Sequence, residues 1–209
     1  MKTENLQEWV GKTEERNDLL TSFPANAMAA TLNHEQLDYT ENKSLPPLWH
    51  WLYFLPIFKL SEAGNDGHAA LGDFLPPVQL PRRMWAGSRM EFFLPLQVGR
   101  EYKKTSKIIS VTAKSGSSGD LVFVTVSHKV SNGPKICIIE EHDIVYREKA
   151  TNSAVATKLV EAPKDFDFSI DINPDPVLLF RYSALTFNGH RIHYDLPFCT
   201  ETEGYGGLI

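Results

Sequence analysis

Residues 180–207 read FRYSALTFNGHRIHYDLPFCTETEGYGG. Eight consecutive positions of this stretch hold an asparagine, two histidines and an aspartate: Asn188, His190, His193 and Asp195. Aromatic residues (Phe180, Tyr182, Phe187, Tyr194) and small ones (Ser183, Ala184, Gly189) frame them. A polar set inside an apolar frame can position a water and move a proton. His193 is the first candidate for that transfer, because imidazole titrates near neutral pH. Residue types alone leave a second reading open, a polar loop holding a satisfied histidine.

Working outward, a helical start is expected over 177–185, after Pro174 and Pro176. Upstream lies a small, polar and charged stretch, 149–165, which reads as a linker. Before it, 85–93, 102–113, 121–130 and 135–147 alternate as strands of an antiparallel meander. Their turns fall at KSGSSGD (114–120) and at Asn132-Gly133. His128 and His142 are expected to face solvent from these strands. The stretch LPPLWHWLYFLPIF (45–58) is apolar on every side for about three turns if helical. It is the candidate for a central buried helix, with His50 packed and hydrogen-bonded inside it. Residues 61–74 read as an exposed loop, and 75–83 as an extended, proline-rich run. Near the start, 3–12 fits a short amphipathic helix and 13–23 a strand or extended lead-in. Pro24 opens a helical segment over 25–32.

Composition narrows the classes. The chain carries 21 Lys and Arg against 26 Asp and Glu, a net charge of −5 with no long basic run. Nucleic acid and anionic membrane surfaces are therefore not expected partners. No apolar stretch is long enough to span a bilayer, and the N-terminus lacks an apolar signal core. A cytoplasmic location is expected, with Cys137 and Cys199 as buried thiols rather than a disulfide. There is no HExxH and no Cys/His ligand set, so no metal is expected, and no cofactor.

The wording FRYSALTFNGHRIHYD resembles the hydratase-2 motif of the MaoC-like dehydratases, a family of hotdog folds acting on acyl-CoA thioesters. Within it, the likeness is to the branch of type 2 hydroxyacyl-thioester dehydratases and mesaconyl-C4-CoA (3-methylfumaryl-CoA) hydratases. LPPLWHWLYFLP, FLPPVQLPRRMWAGSR and SSGDLVFVTVSHKV read as wording of the same branch. His193 falls on the family's catalytic histidine and Asn188 on its catalytic aspartate, a departure from the wider pattern. An amide cannot accept the proton a carboxylate would, but it can hold a water. The resemblance implies an α+β hotdog fold, an antiparallel sheet around a central helix, fused as a double hotdog. The expected units are a non-catalytic N-terminal hotdog over 1–148, the linker, and over 166–209 the start of a catalytic hotdog. The rest of that second half would come from a longer chain or from a partner chain.

A faint repeat fits this picture. Ala29-Ala30-Thr31-Leu32-Asn33 resembles Ala184-Leu185-Thr186-Phe187-Asn188 at an offset of 188 − 33 = 155 residues. The reaction implied is reversible addition of water across the double bond of an enoyl-CoA, the CoA thioester being the substrate. His193 would take the proton of a water oriented by the carbonyl oxygen of Asn188. Asp195 would either fix the histidine's tautomer or lie on the surface. His190 would touch a dicarboxylic acyl group or be structural. Tyr194 and Arg191 join the substrate-binding candidates. Arg83 and Arg89, with Arg82, are candidates for CoA phosphates or a carboxylate. A non-catalytic acyl-CoA-binding protein and a thioesterase remain open as alternatives. A homodimer is the expected assembly.

Overall fold

A computed structural model of the chain describes residues 4–35, 38–71, 73–116, 119–148, 161 and 163–209. Most of the proposed linker lies outside them. Five strands form one antiparallel sheet: β1 (Thr13–Leu19), β2 (Arg82–Phe92), β3 (Glu101–Gly116), β4 (Gly119–Asn132) and β5 (Lys135–Arg147). Their order is β1-β3-β4-β5-β2. The expected meander holds for β3, β4 and β5. β2 departs from it by pairing with β5 at the far edge, and β1 closes the other edge against β3. Gly133, with φ at 55°, makes the β4–β5 turn that Asn132-Gly133 signals.

Two helices pack against each other beside the sheet: α1 (Ser22–Thr31) and α2 (Pro176–Leu185). α1 buries Ala25, Met28 and Ala29 against Leu20, Tyr39, Leu52, Val130 and Ile138. Each fully buried aliphatic side chain of this kind stabilises the fold by about 1.5–3 kcal/mol. A second apolar cluster lies further along the sheet, where Val78 and Leu80 cover Ile108, Val122, Val124, Val126 and Tyr146.

The expected three-turn helix over 45–58 is corrected. Its middle, His50 and Leu52 to Phe54, is buried, but Leu48 and Ile57 are exposed and only Trp49–Leu52 coils, as a single 3-10 turn. Leu48 and Phe54 on either side hold left-handed φ values of 73° and 56°. Pro46, Pro47 and Pro56 remove amide donors that a longer helix would need. The helix that the core contains is α1. The N-terminal helix shrinks likewise to a 3-10 turn, Glu4–Trp9.

The two helices end in the same backbone arrangement, at a register one residue away from the sequence match. Past α1, the amides of Leu32, Asn33 and His34 donate to the carbonyls of Met28, Ala30 and Ala29. Past α2, those of Thr186, Phe187 and Asn188 donate to Tyr182, Ala184 and Ser183. Each pair is offset by 154 residues (188 − 34 = 154). Both helices end on a left-handed residue, Asn33 at 52° and Phe187 at 51°, in the manner of a Schellman cap. Among the described residues no helix is long and apolar enough to cross a membrane. Cys137 and Cys199 are both buried free thiols.

Candidate active site

The side chain of Asp175 accepts from the Leu178 amide, and Pro176 opens α2. At the other end, the Schellman turn brings Asn188 back against the sheet. From there the chain is clamped onto the loop around residue 67. The amide of Arg191 donates to Asp66 O at 2.9 Å, and its guanidinium to Asn65 O at 3.0 Å. The backbones of Gly67 and Gly189 touch so closely that a Cβ on Gly67 would sit 1.9 Å from Gly189 O. Only glycine fits this crossing, and Gly67 also holds a φ of +88°.

His193 ends a 3-10 turn, Arg191–His193, and is half-buried. Its Nδ1 lies 2.6 Å from the main-chain oxygen of Ile209. That oxygen can only accept, so Nδ1 carries the hydrogen and Nε2 is left as the basic nitrogen. His190 stands edge-on to His193, with ring centroids 5.7 Å apart, and lies over His68 at 4.3 Å. Burial, with His68 beside it, holds His190 down at about 4, so the ring is neutral near pH 7. Burial alone would raise the Asp66 carboxyl. The hydrogen bonds from His68 outweigh burial and keep the group ionised well below the usual carboxylate range. Asp66, His68 and His190 together present donor atoms within 4.8 Å of one another, a set that could hold a metal ion.

Several expected roles change. The Asn188 carbonyl oxygen accepts from the amide of His190 at 3.1 Å, so the free end of that side chain is its Nδ2 donor. Asp195 does not touch His193. Its carboxylate receives Arg191 at 2.7 and 2.9 Å and the Phe198 amide at 3.0 Å. Arg191 is thereby a rivet for the loop, with its guanidinium 4.2 Å from the Phe198 ring centroid. Tyr194 is exposed, its hydroxyl donating to Gly189 O. Arg89 leaves the site altogether: it projects to the outer face and pairs there with Glu141 and Asp143. Arg82 is committed to Glu203 at 2.8 Å. Arg83 stays, lining a cavity of about 620 Å³ with Asn188, His190 and His193.

The sheet contributes a polar belt that the sequence reading turned the wrong way. Lys104 and Ser106 on β3, His128 on β4, and Glu140 and His142 on β5 share the inward phase of their strands. They lie between the two apolar clusters, in the rows after Tyr102, Val130 and Ile138 and before Ile108, Val126 and Ile144. Ser106, His128 and Glu140 face one another across three strands. His128 and His142 are therefore not solvent-facing. Burial holds His128 down at about 3, with Lys104 adding to the effect, and burial lowers His142 as well. His50 is buried as expected, with Nε2 3.2 Å from Glu140 Oε2. Trp51 and Ser88 donate to the same carboxylate. A signal was available: a two-residue period aligns Lys104, His128, Glu140 and His142 with Val122, Val124 and Val126. This belt walls a second cavity of about 410 Å³, which shares Asn188, His142, Trp85 and Pro56 with the first.

The sheet and helices define a hotdog-fold protein. A MaoC-like dehydratase from Phytophthora capsici superposes with a TM-score of 0.59 at 16% identity, over 100% of this chain and 72% of that one. HtdX of Mycobacterium tuberculosis superposes with a TM-score of 0.58 at 12% identity, over 95% and 70%. The model of the hydroxyacyl-thioester dehydratase type 2 family matches residues 48–209. A mesaconyl-C(4)-CoA hydratase of Chloroflexus aurantiacus is 44% identical over 209 residues, covering 100% of this chain and 75% of that protein. A mitochondrial hydroxyacyl-thioester dehydratase type 2 of Schizosaccharomyces pombe is 25% identical over 92% of this chain and 73% of that protein. The chain belongs to the hydroxyacyl-thioester dehydratase type 2 family. It is a hydro-lyase that adds water to, or removes it from, an acyl thioester.

Proposed function

We propose that His193 and Asn188 carry out reversible hydration of a short enoyl-CoA, branched or dicarboxylic, of the mesaconyl-C4 type. The single observation that supports this most is that His193 and Asn188 line one cavity, with Nδ1 of His193 committed to Ile209 O and Nε2 left as its other nitrogen. In the hydration direction a water accepts a hydrogen bond from Asn188 Nδ2 and gives its proton to His193 Nε2. Its oxygen attacks Cβ, and the protonated imidazole returns a proton to Cα. The bound water thus keeps one lone pair for the amide and one for the carbon. Arg83 lines the same cavity beside Arg82, which Glu203 holds, and suits a CoA phosphate. The acyl-group assignment leans on the Chloroflexus relative's name and on the size of the inner cavity.

The reading extends to assembly as a homodimer and to a double hotdog whose catalytic half includes 166–209. Phe166, Phe168, Ile170, Val177 and Phe180 are each more than half exposed, which favours a covering surface of like character. The experiment is loss of enoyl-thioester absorbance on mixing the protein with an enoyl-CoA. His193→Ala is expected to slow it by about 10²–10⁴-fold. Equal rates would remove His193 from the mechanism. Release of free thiol in place of hydration would identify a thioesterase, and acyl-CoA binding without either a non-catalytic protein.

A further inference from the structure

The inner cavity carries more charge than a short aliphatic chain needs. Its walls are largely apolar, with Trp51, Phe54 and Ile138 among them, yet Lys104 projects into it from the core-facing phase of β3. Among the described residues no carboxylate lies within ion-pair distance of Lys104. Its only hydrogen bond is a long one of 3.4 Å to Phe54 O. A half-buried cation without a counter-ion is costly, and the cost is relieved by an anion. The carboxylate across the cavity, Glu140, is already satisfied by His50, Trp51 and Ser88.

We propose that this cavity receives a free carboxylate at the far end of the acyl group, held by Lys104. The route is continuous, because Asn188 and His142 border both cavities. A thioester placed beside His193 and Asn188 directs its acyl chain past Asn188 into the charged end. Burial, with Arg16 nearby, lowers the Lys104 ammonium's pKa against the more distant pull of Glu14, Glu140 and Asp18. The inference rests on the assignment of His193 and Asn188 to the reacting end. It names Lys104 as the residue that separates dicarboxylic from monocarboxylic acyl groups.

The test uses ligands that differ only at the far end. Succinyl-CoA and butyryl-CoA lack the double bond and cannot be hydrated, so calorimetry reads binding apart from turnover. Succinyl-CoA is expected to bind at least tenfold more tightly, and Lys104→Met to reduce that ratio at least tenfold, with Lys104→Arg restoring most of it. In turnover, the CoA monothioester of fumaric acid is compared with crotonyl-CoA, and the ratio of their kcat/KM values should fall in parallel. A binding ratio below threefold in the unaltered protein overturns the proposal without reference to any variant. An unchanged ratio in a folded Lys104→Met protein overturns it too. If the binding preference is present but no enoyl-CoA is hydrated, the inference stands and the assignment of His193 fails.

Discussion

Asn188 shows how one atom's partner redirects a mechanism. A carboxylate at this position could accept a proton, but an amide cannot, and here its oxygen is already engaged by the His190 amide. What remains is a donor, suited to holding a water by its oxygen while His193 takes the hydrogen. Asn188→Ala is therefore expected to lower kcat by about 10–100-fold with less than a threefold change in KM, since the water rather than the thioester loses its anchor. A steady-state comparison with the unaltered protein checks this, and a rise in KM at constant kcat would move Asn188 to substrate binding. Residue types made His193 a candidate and the family resemblance added Asn188, because both are read from one short stretch. They did not reveal that Asp195 serves Arg191, because a carboxylate's partner depends on where the chain folds back.

At the scale of elements, strands and turns were legible and helices less so. The β-branched runs of β4 and β5 and the Asn132-Gly133 turn announce themselves by period and turn chemistry. The stretch 45–58 did not, because continuous apolarity reports burial without reporting conformation. Its prolines and the left-handed Leu48 break a helix that hydrophobicity alone allows. His128 and His142 of the inward belt were misread for a related reason, polar side chains being assigned outward by type rather than by phase. The crossing of the residue-67 loop over the motif is a further contact that no local pattern announces. Its consequence is testable. Gly67→Ala places a Cβ against Gly189 O and strains a φ of +88°, so the loop must lift from the motif. Stability is expected to fall by about 1–3 kcal/mol, with at least a tenfold loss of hydratase kcat/KM. Urea unfolding and steady-state rates measure both, and a fully active, equally stable variant would show that the clamp does not hold the site.

For the molecule as a whole, the polar belt and the histidines of the clamp make the fold sensitive to acid. His128, held at about 3, and His190, at about 4, are neutral in the folded protein near pH 6, and His142 is lowered in the same direction. In the unfolded chain a histidine titrates near 6.5. Below about pH 6.5 the unfolded state therefore binds protons that the folded state refuses, and stability falls as pH falls. Over the interval between the two values, His128 alone contributes a slope of up to about 1.4 kcal/mol per pH unit. Glu140 adds to the same trend lower down. Burial would raise its carboxyl, but hydrogen bonds from His50 and Trp51 hold it below its ordinary value. Its contribution is present above the unfolded value of about 4.3 and is lost as pH drops through the folded one. The urea midpoint is thus expected to decline steadily from pH 7 to pH 4.5, and His128→Phe to remove a measurable part of that decline by deleting one of the refused protons. A midpoint independent of pH over this range would mean that these histidines are open to protonation in the folded state. The belt would then be wet rather than walled between the two apolar clusters.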